Sequence, residues 1–357
     1  MKTLNAIVLT HGLLDTMNAK TCHGLLRGTY RYQIQAVIDY KSAGKDAGEV
    51  LNGTPLNIPV YASVSDFHFY HPTKAEVCII GVALEGGLLP DSFRSELYQA
   101  MTYGMSLVNG LHTYLSDDPI FSDLAKKHQV TLTDIRKPKA IKDLKFWTGR
   151  IKKIKVPRLA VLGMDCAVGK RTTSRWLMEI CQEAGLKAEM IYTGQTGWLQ
   201  GHRYGFIFDS TLNDFVSGEL EDAVVRCAEE AKPDIIFIEG QSSLRNPSGP
   251  CGSELLVSAV AKHVILQHQP ARKYFDDSEE MGYLIPTLQS EIELIRLYGA
   301  EVVAITINAY GWNEQQVKDY LTIMQPSISC PMLMADKNNL ATLVPAFRLM
   351  IANQNMA

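Results

Sequence analysis

Short apolar runs alternate with helical patterns over the first 150 residues of the chain. Brief apolar runs between polar turns are typical of buried strands, and apolar positions three or four residues apart are typical of helices. The predicted strands span 6–9, 36–39, 77–83, 106–109 and 131–135, and the clearest predicted helices span 19–26 and 91–103. This alternation predicts an N-terminal α/β domain with a Rossmann-like, doubly wound parallel sheet.

An acidic residue, Asp39, ends the second predicted strand, where a dinucleotide-binding fold places the carboxylate that binds a ribose. The first strand, however, runs into Thr10-His11-Gly12-Leu13 and not into the glycine pattern that such a site needs. We therefore expect Asp39 to cap a loop and expect no dinucleotide site in this half.

The second half repeats the alternation. Predicted strands span 159–162, 188–192, 234–240, 263–266 and 301–307, with helical patterns between them. The helix after the first of these strands is predicted to stop at Gly185, a residue suited to a left-handed helix cap. Between the halves, residues 137–155 are basic and poorly periodic, and Pro157 follows. The predicted domains are therefore 1–150 and 151–357.

A glycine-rich loop with a lysine joins the strand at 159–162 to the helix that follows it. The run is Gly163-Met164-Asp165-Cys166-Ala167-Val168-Gly169-Lys170-Arg171-Thr172-Thr173. Strand, glycine loop, Gly-Lys and helix form the context of a phosphate-binding P-loop, in which backbone N–H groups, the helix N-terminus and the lysine attract an anion. This predicts a P-loop NTPase-like α/β domain in which residues 163 and 165–173 bind the ligand. The alternative is a glycine turn with a solvated lysine.

Arg171 stands where most P-loops have the Ser or Thr hydroxyl that holds Mg²⁺. A guanidinium cannot bind a cation, and it favours a phosphate-rich ligand. We therefore expect a site without a metal ion.

Composition narrows the class of protein. Hydrophobic residues make up 46% and charged residues 20%, which is typical of a globular protein. The net charge of −3 predicts no nucleic-acid surface. The seven cysteines are scattered without a CxxC pair, and no apolar run has signal-peptide or membrane-spanning length. We expect a cytoplasmic protein with reduced thiols and no membrane partner.

Two stretches of the first half are more polar than a scaffold needs: 20–27, with Lys20, His23 and Arg27 on one helical face, and 109–112. Two interpretations of these stretches stay open: a solvated surface, or a role at a cleft between domains. His68 and His71 have metal-ligand spacing, but no second ligand pair completes a zinc pattern.

Six motifs together resemble a two-domain P-loop family that was long of unknown function. They are residues 163–173, Thr193-Gly194-Gln195-Thr196-Gly197, Asp214-Phe215-Val216-Ser217-Gly218-Glu219, Glu239-Gly240-Gln241-Ser242, residues 20–27, and Asn109-Gly110-Leu111-His112. Some members are D-glutamate N-acetyltransferases, which use acetyl-CoA and D-glutamate or D-aspartate. The resemblance implies an acyltransferase, CoA phosphates in the P-loop, a small acidic amino acid as acceptor, and a homo-oligomer.

The residues fit that chemistry, which needs a base, an oxyanion donor and cations for the acceptor carboxylates. Glu239 is the first candidate base and His268 the second, with Gln195 or loop N–H groups at the oxyanion. The predicted acceptor-binding residues are Arg245, Arg272, Arg203 and Asp214. Cys166 is expected to be a packing residue and not a nucleophile.

Two other functions stay open. The P-loop domain is also similar to dethiobiotin synthetase, which implies an ATP- and Mg²⁺-dependent ligase or kinase, with Thr172 or Asp214 recruited to the metal. The third hypothesis is a nucleotide-responsive binding protein without turnover.

Overall fold

The apolar runs of the first half become one parallel sheet in the computed structural model, which describes residues 3–276 and 278–356, without the side chains of residues 85, 355 and 356. Its strands are β1 Leu4–Leu9, β2 Tyr32–Ile38, β3 Val60–Tyr61, β4 Val77–Ile80, β5 Ser106–Asn109 and β6 Leu132–Asp134. The helices of this region are α1 Lys20–Leu26, α2 Ala47–Asn52, α3 Val64–Tyr70, α4 Asp91–Thr102 and α5 Pro119–His128. The strand order β3-β2-β1-β4-β5-β6 is that of a Rossmann-like doubly wound sheet, as predicted.

The second half forms a second parallel sheet. Its strands are β7 Arg158–Gly163, β8 Ala188–Tyr192, β9 Tyr204–Gly205, β10 Ile235–Glu239, β11 His263–His268, β12 Glu301–Ile307 and β13 Met332–Met334. The remaining helices are α6 Lys170–Glu183, α7 Gln195–Leu199, α8 Asn213–Glu230, α9 Ser253–Val257, α10 Leu288–Leu297, α11 Glu314–Met324, α12 Lys337–Ala341 and α13 Val344–Met356. The strand order is β13-β12-β11-β7-β10-β8-β9, so the P-loop strand β7 lies in the middle.

Both faces of this second sheet are covered, because side chains of a strand point alternately to opposite sides. Leu159 and Val161 of β7 pack with α6 and α13. Ala160 and Leu162 pack with α8, α9 and α10 on the other face. The predicted strands 188–192 and 301–307 match β8 and β12, and Gly185 has the predicted left-handed backbone, with φ of 80°.

The chain divides into two units. Residues up to Pro138 together with Gln195–His202 form the N-terminal unit, and Lys139–Gly194 with the residues from Arg203 onward form the C-terminal unit. The division thus falls between residues 138 and 139, whereas the predicted boundary is at 150. The reason lies in α8, where the buried Glu219 accepts the Lys145 N–H at 2.9 Å and Glu221 accepts the Ile151 N–H at 3.0 Å. These carboxylates bind the connecting segment to the second sheet.

A segment of the second half, Gln195–His202, belongs to the N-terminal unit. The Arg31 guanidinium lies 4.0 Å from the centre of the Trp198 ring, and Gln200 donates to the Gly24 carbonyl at 2.8 Å. Gly110 lacks a side chain where a Cβ would lie 3.0 Å from Gln195 Cγ. Residues of motifs 20–27 and 109–112, distant in sequence, therefore contact the segment that contains α7.

Asp39 has the loop-capping role that the sequence predicts. Its buried carboxylate accepts the Thr10 hydroxyl at 2.8 Å and the N–H groups of Gly12 and Leu14 at 2.7 and 3.0 Å. Its other oxygen accepts the Ser42 N–H at 3.0 Å. The Asp39 carboxylate, which stands where a dinucleotide fold binds a ribose, thus accepts hydrogen bonds from the neighbouring loops instead.

No helix in the described part of the chain is both long and apolar enough to cross a bilayer.

Candidate active site

The P-loop leaves β7 and turns into α6 through two residues with positive φ. Ala167 has φ of 53° and Gly169 has φ of 114°. Gly169 is the N-cap of α6, and because it has no side chain it leaves the first N–H groups of the helix for another acceptor. The loop therefore presents N–H groups and the positive end of a helix dipole, which is an anion-binding arrangement.

The lysine of the loop is buried beside the end of β10. Lys170 donates from Nζ to the Asp165 carbonyl oxygen at 2.5 Å and is 6% exposed. Gly240 makes room for it, because a Cβ there would lie 3.1 Å from Lys170 Cδ and 2.3 Å from the Val161 carbonyl oxygen. Burial lowers the pKa of Lys170, and the neighbouring Cys166, Asp165 and Glu239 oppose that shift. The ammonium group thus has carboxylates around it.

Glu239 ends β10, between β7 and β8 in the sheet, and is 4% exposed. Its Oε2 accepts the Thr193 N–H at 2.9 Å, and the Gly194 N–H also donates to the carboxylate. Burial raises the pKa of Glu239, while Arg171, the two N–H groups and Lys170 pull it down again. A carboxyl group with a raised pKa at the ligand edge of a parallel sheet suits general base catalysis.

Thr193 binds both the side chain and the backbone of Glu239, and Gln241 binds Thr193. Sequence reasoning missed these roles. The Thr193 hydroxyl donates to the Glu239 carbonyl oxygen at 2.9 Å and accepts from Gln241 Nε2 at 2.9 Å. Both residues lie within motifs that the resemblance singled out, at the ends of neighbouring strands. Their place inside these motifs, just after adjacent strands, was the signal in the sequence that could have identified them.

Asp165 and Arg272, predicted to contact ligands, bind each other. Arg272 donates to Asp165 Oδ2 at 2.8 Å and to the Cys166 carbonyl at 2.8 Å. The fully buried carboxylate also accepts Asn246 Nδ2 at 2.9 Å and the Asp276 N–H at 2.7 Å. The pair ties the loops after β10 and β11 to the P-loop, so its charges support the loop.

Two further predicted acceptor-binding residues, Arg245 and Arg203, have glutamate partners. Arg245 is paired with the buried Glu291 at 2.6 Å, and Arg203 is paired with Glu230 at 2.6 Å on an exposed surface. Asp214 is exposed in the first turn of α8. Gln195 belongs to the N-terminal unit, where its Oε1 accepts from Arg136 at 3.1 Å.

The Thr173 hydroxyl, the second of the two that follow Arg171, is used within the fold. Thr173 donates to Gln267 Oε1 at 2.6 Å, and Thr306 donates to the same oxygen at 2.7 Å. Within the described residues, no group of three or more His, Cys, Asp or Glu side chains is placed to hold a metal ion. Cys166 donates weakly to the Ser242 hydroxyl at 3.4 Å.

His268 is a buried neutral imidazole. Its Nε2 lies 3.0 Å from the Tyr320 hydroxyl, and burial lowers its pKa from 6.5 to about 4. Such a group is a weak base near neutral pH, so Glu239 is the better candidate of the two. Tyr320 comes 52 residues later on α11, and no local pattern marks it.

The low pKa of His268 predicts acid-sensitive folding. Between pH 6.5 and about 4 the unfolded chain takes up a proton at this ring that the folded chain resists. The free energy of unfolding should therefore fall as pH decreases through this window, by up to about 1.4 kcal/mol per pH unit. The measurement is urea unfolding of wild type and His268→Gln at pH 7 and pH 5. Equal pH dependence in both proteins would show that His268 titrates normally.

Polar residues of the N-terminal unit serve its own structure. His23 Nε2 lies 2.7 Å from the Leu14 carbonyl oxygen, and Asn109 Nδ2 donates to Asp134 at 2.7 Å. His68 stacks on Tyr103 with ring centres 3.8 Å apart, and His71 stacks on Phe67 at 4.8 Å. These contacts account for both histidines as packing residues.

Known proteins share both halves of the chain. Residues 40–138 match a Rossmann-like domain of unknown function, DUF1611_N, and residues 145–344 match the P-loop domain of unknown function DUF1611. A D-glutamate N-acetyltransferase from a Pseudoalteromonas species is 29% identical over 264 residues, 72% of this chain and 76% of the relative. Another, from Tritonibacter scottomollicae, is 29% identical over 280 residues, 76% of this chain and 81% of the relative.

A solved structure is similar over nearly the whole chain. The crystal structure of a DUF1611 family protein from Anabaena variabilis ATCC 29413 has 27% sequence identity and a TM-score of 0.85, and the match covers 98% of this chain and 100% of that one. The P-loop match alone spans more than half of the residues. The chain therefore belongs to the two-domain DUF1611 family, with a Rossmann-like N-terminal domain and a P-loop C-terminal domain.

Proposed function

We propose that the protein is an acyltransferase that moves the acetyl group of acetyl-CoA to the amino group of D-glutamate or D-aspartate. The names of the two relatives, both D-glutamate N-acetyltransferases at 29% identity over most of the chain, support this proposal. Arg171 in the Mg²⁺-ligand position and the commitment of the Thr173 hydroxyl to Gln267 speak against a metal-nucleotide site.

The observation that carries the proposal is the buried carboxyl group of Glu239 beside the P-loop. Glu239 and Lys170 lie within electrostatic range of each other, and Arg171 acts on the same carboxylate. A base, an ammonium group and a guanidinium thus share one edge of the sheet. An acidic amino acid, which carries an ammonium group and carboxylates, fits this set of charges.

The reaction removes two protons from the acceptor nitrogen. Glu239 takes the first, and the free amine attacks the thioester carbonyl carbon to form a tetrahedral oxyanion. Collapse breaks the carbon–sulfur bond and forms the amide, and the departing thiolate takes a proton from Glu239 while the second proton goes to solvent. Loop N–H groups are the candidate donors to the oxyanion.

A panel of acceptors tests the proposal. With acetyl-CoA and EDTA, release of free thiol should be fastest with D-glutamate or D-aspartate. It should be at least 10-fold slower with D-alanine, which lacks the side-chain carboxylate. The L-enantiomers and a reaction without acceptor are the controls. Equal rates with D-alanine and D-glutamate would contradict an acidic acceptor, and no thiol release with any amine would contradict the acyltransferase.

A further inference from the structure

The position of Glu239 restricts which ligand the P-loop holds. A general base lies within about 2.6–3.2 Å of the heavy atom whose proton it removes. Since Glu239 lies beside Lys170, an amine at Glu239 is also next to the P-loop anion site. The group in the P-loop must therefore be an anion close to the reacting nitrogen.

The two substrates differ in the distance between their anionic groups and their reacting atoms. In an acidic amino acid, one carbon separates the nitrogen from the α-carboxylate. In acetyl-CoA, the pantetheine arm separates the thioester from the nearest phosphate, and this arm is as long as about four residues, roughly 14 Å when extended. With its phosphates in the P-loop, acetyl-CoA would have to fold back on itself to bring the thioester to Glu239.

Charge points the same way. Lys170 and Arg171 are cations that act on the Glu239 carboxylate, and Arg272 is shared between Asp165 at 2.8 Å and Asp276 at 3.5 Å. The ammonium group of D-glutamate is complementary to Glu239, and its two carboxylates are complementary to Lys170 and Arg171. A pyrophosphate without a metal ion would instead lie against the like charge of Glu239.

We propose that the P-loop of this chain binds the acceptor amino acid, with one carboxylate at Lys170 and the loop N–H groups, the other at Arg171, and the ammonium group at Glu239. This assignment rests on the proposed function and replaces the CoA phosphates that the sequence predicts for this site. Helix N-termini and P-loops bind carboxylates as well as phosphates, so the loop needs no change of shape for this role. The CoA phosphates then bind outside the P-loop.

Calorimetric titration of D-glutamate and, separately, of CoA in EDTA tests the assignment. Lys170→Ala should weaken D-glutamate binding by about 10-fold or more, the effect of a lost charge-assisted hydrogen bond, and leave CoA binding within about twofold. The control is Lys262→Ala, at an exposed lysine just before β11, which should change neither affinity. Because Lys170 is buried, Arg171→Gln is a second variant. It should reduce the preference for D-glutamate over D-glutamine.

The outcomes separate the two proposals. CoA binding that weakens 10-fold in Lys170→Ala while D-glutamate binding is unchanged would overturn the assignment and leave the acetyltransferase intact. Lysine-dependent D-glutamate binding without any acetyl transfer would support the assignment and overturn the proposed function. An unchanged ratio of D-glutamate to D-glutamine affinity in Arg171→Gln would contradict the role of Arg171.

Discussion

Replacing Glu239 with glutamine should lower kcat by about 100-fold or more, because a positioned base contributes roughly 10²–10⁴-fold to proton transfer. Glutamine keeps the size of the side chain and can still accept the Thr193 N–H at Oε1, so the loop should keep its shape. The KM for acetyl-CoA should stay within about twofold of wild type, since the change affects the acceptor side of the reaction. Steady-state kinetics with D-glutamate measure both constants.

The pH profile distinguishes a base from a residue that only shapes the loop. Glu239 must be ionised to take a proton, so the wild-type rate should rise with pH through its pKa, which burial holds above the ordinary 4.5. Glu239→Gln should lose this rise. Glu230→Gln, at an exposed carboxylate paired with Arg203, is the control and should keep it. A Glu239→Gln enzyme with near-wild-type kcat would transfer the role of base to His268.

Asp165→Asn should lower the free energy of unfolding of the C-terminal unit by about 3–5 kcal/mol, the cost of breaking a buried ion pair from one side. The Asp165 carboxylate is fully buried and accepts hydrogen bonds from Arg272, Asn246 and the Asp276 N–H. Asparagine removes the negative charge and leaves the Arg272 guanidinium without its buried partner. Urea unfolding followed by fluorescence measures the loss.

The matched control for Asp165→Asn is the exposed pair of Arg203 and Glu230. Glu230→Gln should change the free energy of unfolding by less than about 1 kcal/mol, because solvent screens that pair. A loss below 1 kcal/mol in Asp165→Asn as well would contradict the view that this carboxylate supports the P-loop.

The P-loop could be predicted because its signal is local. The apolar run of β7, the two glycines and Lys170 lie within a dozen or so consecutive residues, and each has a steric or electrostatic reason to be there. The position of Glu239 at the end of a buried strand was predictable for the same reason, and its role as a base stays a prediction. Asp39 followed from the missing glycine pattern in the preceding loop.

The partners of the arginines could not be predicted. Arg272 binds Asp165 across 107 residues of sequence, and Arg245 binds Glu291 across 46. In the sequence each is simply a cation near a strand end, which fits a carboxylate clamp equally well. Which carboxylate a guanidinium meets depends on how loops from different strands pack, and that information is absent from local patterns.

Gln195 shows the same limit at the level of a whole segment. It follows Gly194 directly, and Gly194 donates to Glu239 in the C-terminal unit. Yet Gln195 packs against Gly110 and Arg136 in the N-terminal unit. The change of unit between two adjacent residues has no signal in periodicity or composition.

The most direct test of the acetyltransferase is to follow the acetyl group itself. The protein is incubated in EDTA with D-glutamate and acetyl-CoA labelled with ¹³C in the acetyl group, and the products are identified by mass spectrometry. Labelled N-acetyl-D-glutamate and free CoA are expected in equal amounts, with no need for ATP or Mg²⁺. Absence of labelled product, with ATP consumed once D-glutamate, ATP and Mg²⁺ are supplied, would contradict the acetyltransferase.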